Sequence, residues 1–195
     1  MSTTEPIRDV QELKDFIGYY EERTDLKMER NYVMILTGLY TALRIGDVLD
    51  LRWGDVIDVD KGRVRDSIYV VEKKTKKYRR IRMHRKLKFA MMRFWRKTKP
   101  EPTEFIFTVE DNRKKPISRV HAYRVIKEAA NACIRDPENI SCHSLRKTFG
   151  YHALQQGASL AVLTEIFNHS TYDVTKRYLG LTQDDQDNVF VNLQF

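Results

Sequence analysis

The sequence predicts a mainly α-helical domain with one small three-stranded antiparallel sheet, an α+β arrangement. Three observations predict it. Apolar residues recur at helical spacing over most of the chain; β-rich runs are confined to about residues 56–83; turn residues separate those runs. The 195 residues, 42% of them hydrophobic, suffice for one buried core, so residues 1–195 are read as a single domain.

Asp9 opens the first helix, with Glu12 three residues on as a weak capping box. Val10, Leu13, Phe16, Ile17 and Tyr20 share one face of it. The second helix runs from about Leu26 to Tyr40, around Tyr32, Val33, Ile35, Leu36 and Leu39. A short third helix follows Gly46, with Asp47 in its first turn, where a carboxylate suits the helix dipole.

Three strands come next. Val56-Ile57-Asp58 precedes the turn-like Asp60-Lys61-Gly62, Ser67 to Glu72 is β-rich, and Tyr78 to Met83 is the third. Lys74-Thr75-Lys76-Lys77 reads as a tight hairpin between the last two. Helices follow at about 84–98, at 118–133 with Ser118 as cap, at 142–156 with Gly157 as stop, and at 159–168. Ser170 followed by Asp173 predicts a new N-cap, and so a helix break ahead of Tyr178.

Charge is concentrated. Residues 61–100 hold 17 Lys/Arg against only Asp66 and Glu72, whereas the whole chain carries +8, so the remainder is net acidic. Such a segment reads as a local polyanion footprint, and equally as a solvated lysine-rich hairpin. It has too little apolar face for an amphipathic membrane patch. No apolar run approaches the roughly 20 residues that span a bilayer. The N-terminus lacks a signal-peptide layout. Cys133 and Cys142 are too few for a disulfide framework, which points to a reducing, cytoplasmic setting.

His143 and Arg146 stand three apart near a helix N-terminus, on one face, where anions are favoured. Arginine grips a phosphate's non-bridging oxygens through a planar fork, and histidine moves protons near neutral pH. Taken alone, the pair also fits a structural histidine beside a surface arginine. Arg44 likewise fits a helix-end arginine paired with Asp47, and Tyr178 fits a core aromatic between Val174 and Leu179. Cys133, Cys142, His143 and His152 lack zinc spacing, and there is no Walker loop or clustered acid pair. The residues therefore predict neither metal nor cofactor.

Together, Thr41-Ala42-Leu43-Arg44-Ile45-Gly46-Asp47, the hairpin with Lys73-Lys74-Thr75, His143-Ser144-Leu145-Arg146, Asn168-His169 and Tyr178 resemble the tyrosine recombinase, or phage integrase, family. Each motif is short; their order and the nine-residue gap from His169 to Tyr178 carry the specificity. The resemblance covers about residues 9–181, the family's catalytic domain, and leaves 182–195 as a C-terminal tail of alternating acidic and apolar residues. It implies the DNA breaking-rejoining fold. Ala42 stands where the family usually has Gly, Asp47 where Glu is common, and Asn168 replaces the usual Gly before the histidine.

The resemblance also implies a chemistry. Tyr178 would attack a scissile phosphate in double-stranded DNA, forming a 3′-phosphotyrosyl link. Arg44 and Arg146 would hold the non-bridging oxygens, and Lys74 would protonate the departing 5′-oxygen. His143 would take the tyrosine proton, and His169 would donate a hydrogen bond to the phosphate. The implied partner is duplex DNA at specific recombination sites, with a homotetramer on paired sites and a monomer in free solution, acting in integration, excision or inversion. The expected N-terminal core-binding domain is absent from residues 1–195. The rival readings are a DNA-binding fragment inactive without that domain, and a type IB topoisomerase-like activity.

Overall fold

A computed structural model describes residues 4–21, 23, 25–109, 112–181, 187, 190 and 191. The α-helices among them are α1 (Val10–Glu21), α2 (Leu26–Thr41), α3 (Ile45–Leu49), α4 (Trp53–Val56), α5 (Arg85–Thr98), α6 (Arg119–Cys133), α7 (Cys142–Gln155), α8 (Leu160–Phe167) and α9 (Tyr172–Leu179). None is long and apolar enough to cross a membrane. The acidic-apolar tail from 182 onward lies outside the described residues apart from 187, 190 and 191.

α2 is the central element. Every side chain from 29 to 39 is buried, and the helix packs against α1, α5 and α7. Asp25 caps it by accepting from the Met28 N–H at 3.0 Å. A fully buried Glu29 is tolerable because Arg93 and Lys97 of α5 reach its two oxygens. Phe16 and Tyr20 of α1 and Leu87, Ala90 and Met91 of α5 complete this core. Ser118, Ser141 and Ser159 cap α6, α7 and α8 through side-chain oxygens, and Gly157 follows α7 at φ +89°.

The expected three-stranded sheet is replaced by three two-stranded ones. β1 (Ile57–Asp58) pairs with β2 (Arg63–Val64) across the Asp60-Lys61-Gly62 turn, so its hydrogen bonds close locally. β3 (Ser67–Val71) pairs with β4 (Tyr78–Arg82), from Ser67 opposite Arg82 to Val71 opposite Tyr78. β5 (Thr108–Val109) pairs with β6 (Asn112–Pro116), which the sequence did not announce. Asn112-Arg113-Lys114-Lys115-Pro116 has no apolar alternation, and backbone pairing alone makes it a strand.

A second, smaller core of Ala42, Leu163, Phe167 and Leu179 lies between the end of α2 and the helices α7–α9. There α7 approaches closely at Gly150: a Cβ at that position would lie 2.5 Å from side-chain carbons of Leu179 and Phe167. The chain's N-terminal segment is strapped across the same region. The Ile7 N–H donates to Thr148 Oγ1 at 2.9 Å, Lys147 Nζ to the Thr4 carbonyl at 2.6 Å, and Arg8 to the Gly180 carbonyl at 2.5 Å.

Candidate active site

The end of α2 sets the first residue of the site. Ala42 takes a left-handed conformation at φ 53°, which glycine adopts more readily, and the chain then turns so that Arg44 heads α3. Arg44 does not pair with Asp47. Its guanidinium meets the buried Glu72 carboxylate at 2.6 Å, while Asp47 accepts the Lys73 backbone N–H at 2.9 Å.

Glu72, 1% exposed, joins several groups. Its other oxygen accepts from Arg79 at 3.0 Å, and the Thr75 hydroxyl donates at 3.1 Å to the same oxygen as Arg44. Burial alone would raise its pKa, but hydrogen bonds from Arg79 and Arg44 hold the carboxyl below its ordinary value. Its backbone also closes the hairpin: the Glu72 N–H donates to the Lys77 carbonyl, and the Lys76 N–H donates to the Glu72 carbonyl. The hairpin lysines are thereby sorted. Lys73 pairs with Asp50 and Lys77 donates to Asn168. Lys74 is exposed, has no such partner among the described residues, and lies close enough for its charge to depress the His143 pKa.

Arg146, on the second turn of α7, is 3% exposed. It donates to the carbonyl of Ala42 and, at 2.8 Å, to that of Phe167, and its guanidinium lies 4.8 Å from the Phe167 ring centroid. Burial, with Arg44 and Arg79 nearby, lowers its pKa to about 10, against the opposing pull of Tyr178 and Glu72. It therefore stays charged at neutral pH. His143, one turn before it, is held below its ordinary pKa by partial desolvation and by Arg146, Arg44, Lys147 and Lys74.

α8 ends at Phe167, and Asn168 turns left-handed at φ 51°, a conformation asparagine tolerates better than most residues. The expected helix break is there, but the cap is Thr171 instead of Ser170: its side chain accepts from the Val174 N–H at 3.3 Å. After the break α9 carries Tyr178 back beside His169, with ring centroids 4.9 Å apart. The Tyr178 hydroxyl is buried and makes no hydrogen bond among the described residues. Burial raises its pKa, opposed by Arg146 first and Arg44 second. Lys147 Nζ lies 5.2 Å from the Tyr178 ring centroid, a distance at which a cation and a ring face attract. His169 is pushed below its ordinary pKa by burial, Arg146 and Arg44.

The fold thus gathers Arg44, His143, Arg146, His169 and Tyr178 around one cationic centre, with Lys74 at its edge. Sequence reasoning did not single out Glu72, Arg79, Lys147 or Thr175. Glu72 carried a signal, as one of two acids in the basic segment; Thr175 stands one turn before Tyr178. Among the described residues no group of three or more His, Cys, Asp or Glu side chains is placed to hold a metal ion. Guanidinium groups beside a buried hydroxyl and an imidazole suit capture of an oxyanion and attack upon it.

Comparison with known proteins bears on this constellation. Residues 8–184 match the phage integrase family. The chain is 37% identical over 184 residues to a probable integrase/recombinase, YoeC, of Bacillus subtilis (strain 168), covering 94% of this chain and 93% of that one. Among solved structures it resembles the XerH site-specific recombinase bound to a palindromic difH substrate in a post-cleavage complex, with a TM-score of 0.75 at 17% identity. That likeness covers 98% of this chain and 54% of XerH, so the chain spans about half of that protein. The XerA recombinase matches with a TM-score of 0.75 at 19% identity, over 98% of this chain and 67% of that one.

Proposed function

Because the chain belongs to the phage integrase family, we propose that it cleaves and rejoins duplex DNA at specific sites with Tyr178 as its nucleophile. It is a tyrosine recombinase; the assignment of roles within the site is our reading. The observation that carries it is the Tyr178 hydroxyl, buried and with no hydrogen-bond partner among the described residues, on a ring that meets His169 and feels the charge of Arg146. A buried hydroxyl with no partner is costly unless something else uses it.

In this reading Arg44 and Arg146 take the two non-bridging oxygens of the scissile phosphate, and Arg44 exchanges part of its bond to Glu72 for that anion. The Tyr178 proton passes to His143 as its oxygen attacks phosphorus. The P–O5′ bond breaks, and the leaving 5′-oxygen receives a proton from Lys74. The product is a 3′-phosphotyrosyl ester and a free 5′-hydroxyl. The ester keeps the bond energy of the phosphodiester, so a 5′-hydroxyl can reverse the step without a nucleotide cofactor. The basic hairpin and α5 lie along the DNA backbone, and subunits assemble as a tetramer on paired sites.

The test is a nicked duplex drawn from the DNA flanking the gene. Wild-type protein forms a covalent adduct resistant to denaturant, and Tyr178→Phe forms none. Absence of any adduct across tiled flanking sequence would refute the reading. Relaxation of supercoiled plasmid at arbitrary sequence would favour topoisomerase-like activity instead.

A further inference from the structure

Behind His169 lies a short relay of hydroxyls. His169 Nδ1 is 3.0 Å from Thr175 Oγ1, Thr175 Oγ1 is 2.8 Å from Thr164 Oγ1, and Thr164 Oγ1 is 2.8 Å from the Leu160 carbonyl oxygen. Thr175 is fully buried and Thr164 is 8% exposed, so water is a poor substitute for any of these contacts.

Three short contacts need three protons, and only one arrangement supplies them. A carbonyl can only accept, so the Thr164 proton goes to Leu160. The Thr164 oxygen must then accept, which takes the Thr175 proton. The Thr175 oxygen accepts in turn, so the remaining proton sits on His169 Nδ1. Reversing the chain would leave two oxygens 2.8 Å apart at Thr164 and Leu160 with no proton between them. The Thr171 carbonyl, 3.4 Å from Thr175 Oγ1, offers that hydroxyl a longer outlet, and using it leaves the His169 assignment unchanged. His169 Nε2 makes no hydrogen bond among the described residues and is the ring nitrogen left for a ligand.

We propose that Thr175, backed by Thr164, is a positioning residue that fixes neutral His169 as its Nδ1–H tautomer. Nε2 then carries a lone pair, and it offers an N–H to a phosphate only when the ring is an imidazolium. The groups facing the ring are Arg146 of α7, Arg44 ahead of α3 and Tyr178 of α9. On the hairpin side Lys77 holds Asn168, and Glu72 and Arg79 line the same cleft with Glu165 of α8. The two arginines oppose protonation in the free protein, and an incoming phosphodiester favours it. Phosphate capture by His169 therefore takes up a proton. That consequence rests on the recombinase reading; the tautomer is a property of the DNA-free chain.

The experiment is long-range proton–nitrogen NMR on the DNA-free full chain with 15N-labelled histidine, using His169→Gln to identify the signal. Wild type and Thr175→Ser are expected to show a protonated Nδ1 and a bare Nε2 above the ring's pKa. Thr175→Val is expected to admit the Nε2–H form. Thr175→Ala, which removes the hydroxyl without adding bulk, does the same and stands in if Thr175→Val does not fold. An Nε2–H tautomer in wild type, or unchanged signals in both Thr175→Val and Thr175→Ala, would overturn the proposal. On nicked duplex, Thr175→Val slows adduct formation about ten-fold, as for other partners that orient a working imidazole. It also flattens the pH profile and adds nothing in a His169→Gln background. If wild type forms no adduct, the recombinase reading falls while the tautomer result stands.

Discussion

His169 and Tyr178 are nine residues apart, yet their rings meet edge to face with centroids 4.9 Å apart and planes at 72°. A continuous helix would turn them to opposite sides. The left-handed Asn168 and the Thr171 cap fold the chain back, and Phe167 packs under both rings, with centroids 5.4 Å from His169 and 5.2 Å from Tyr178. Placement of Tyr178 is thus a property of a helix end, and disturbance of that end should reach Tyr178 before it reaches the rest of the fold.

Tyr178→Phe keeps this ring packing and deletes a buried hydroxyl that has no hydrogen-bond partner among the described residues. The variant should be inactive in adduct formation yet no less stable than wild type, gaining up to about 1 kcal/mol in denaturant unfolding. A loss of more than that amount would mean the hydroxyl is bonded in solution.

Arg146→Lys keeps a charge but cannot serve both the Ala42 and Phe167 carbonyls as a planar fork does. With those carbonyls buried, stability should fall by about 1–3 kcal/mol. Cleavage should fall by about 100-fold or more, because the proposed phosphate-oxygen donor is displaced as well. Unfolding curves and single-turnover cleavage measure the two effects separately.

Lys74 has no ion pair among the described residues, so Lys74→Ala should leave the melting temperature unchanged. It should slow cleavage of ordinary DNA sharply. A substrate with sulfur in place of the scissile 5′-oxygen should restore the rate, because a thiolate leaves without a proton. The same rescue in Lys76→Ala, with none in Lys74→Ala, would transfer the role to Lys76.

What the sequence made legible was whatever local chemistry determines. The helices around Phe16, Leu36, Leu87 and Ile126 follow from apolar spacing, and the break before Tyr178 follows from turn and cap residues. Sheet pairing was not legible: Ile57 and Asp58 could face either neighbouring run, and the Gly62 turn, at φ 56°, settled it in favour of Arg63 and Val64. Arg44's partner was not legible either. Asp47 is three residues away and Glu72 is twenty-eight, and only the fold reveals that the nearer carboxylate is occupied by the Lys73 N–H.

Glu72→Gln tests that distant partner through pH. The carboxyl's folded pKa lies below its ordinary 4.5, so its contribution is fully present above that value and is lost as pH falls through the folded pKa. Wild type should be more stable than Glu72→Gln at neutral pH by about 3 kcal/mol, since Arg44 and Arg79 lose a buried counter-ion. The gap should close as pH falls through the carboxyl's lowered folded pKa. A gap independent of pH would show that shape, not charge, holds the arginines.

Gly150→Ala tests whether the helix that carries Tyr178 can be displaced without touching any of the proposed reactive groups. The added methyl carbon would meet Leu179 and Phe167 at 2.5 Å, well inside contact distance. Both are fully buried, so neither can swing into solvent. The strain must move α9 or the end of α8, at a cost of about 1–3 kcal/mol. Leu179 adjoins Tyr178, and Phe167 carries the carbonyl that holds Arg146. Cleavage should therefore fall further than stability alone explains, while duplex binding through the hairpin and α5 should persist. Equal loss of binding and cleavage in a folded variant would mean that α7 and α9 move as one body, and that their spacing is not what sets Tyr178.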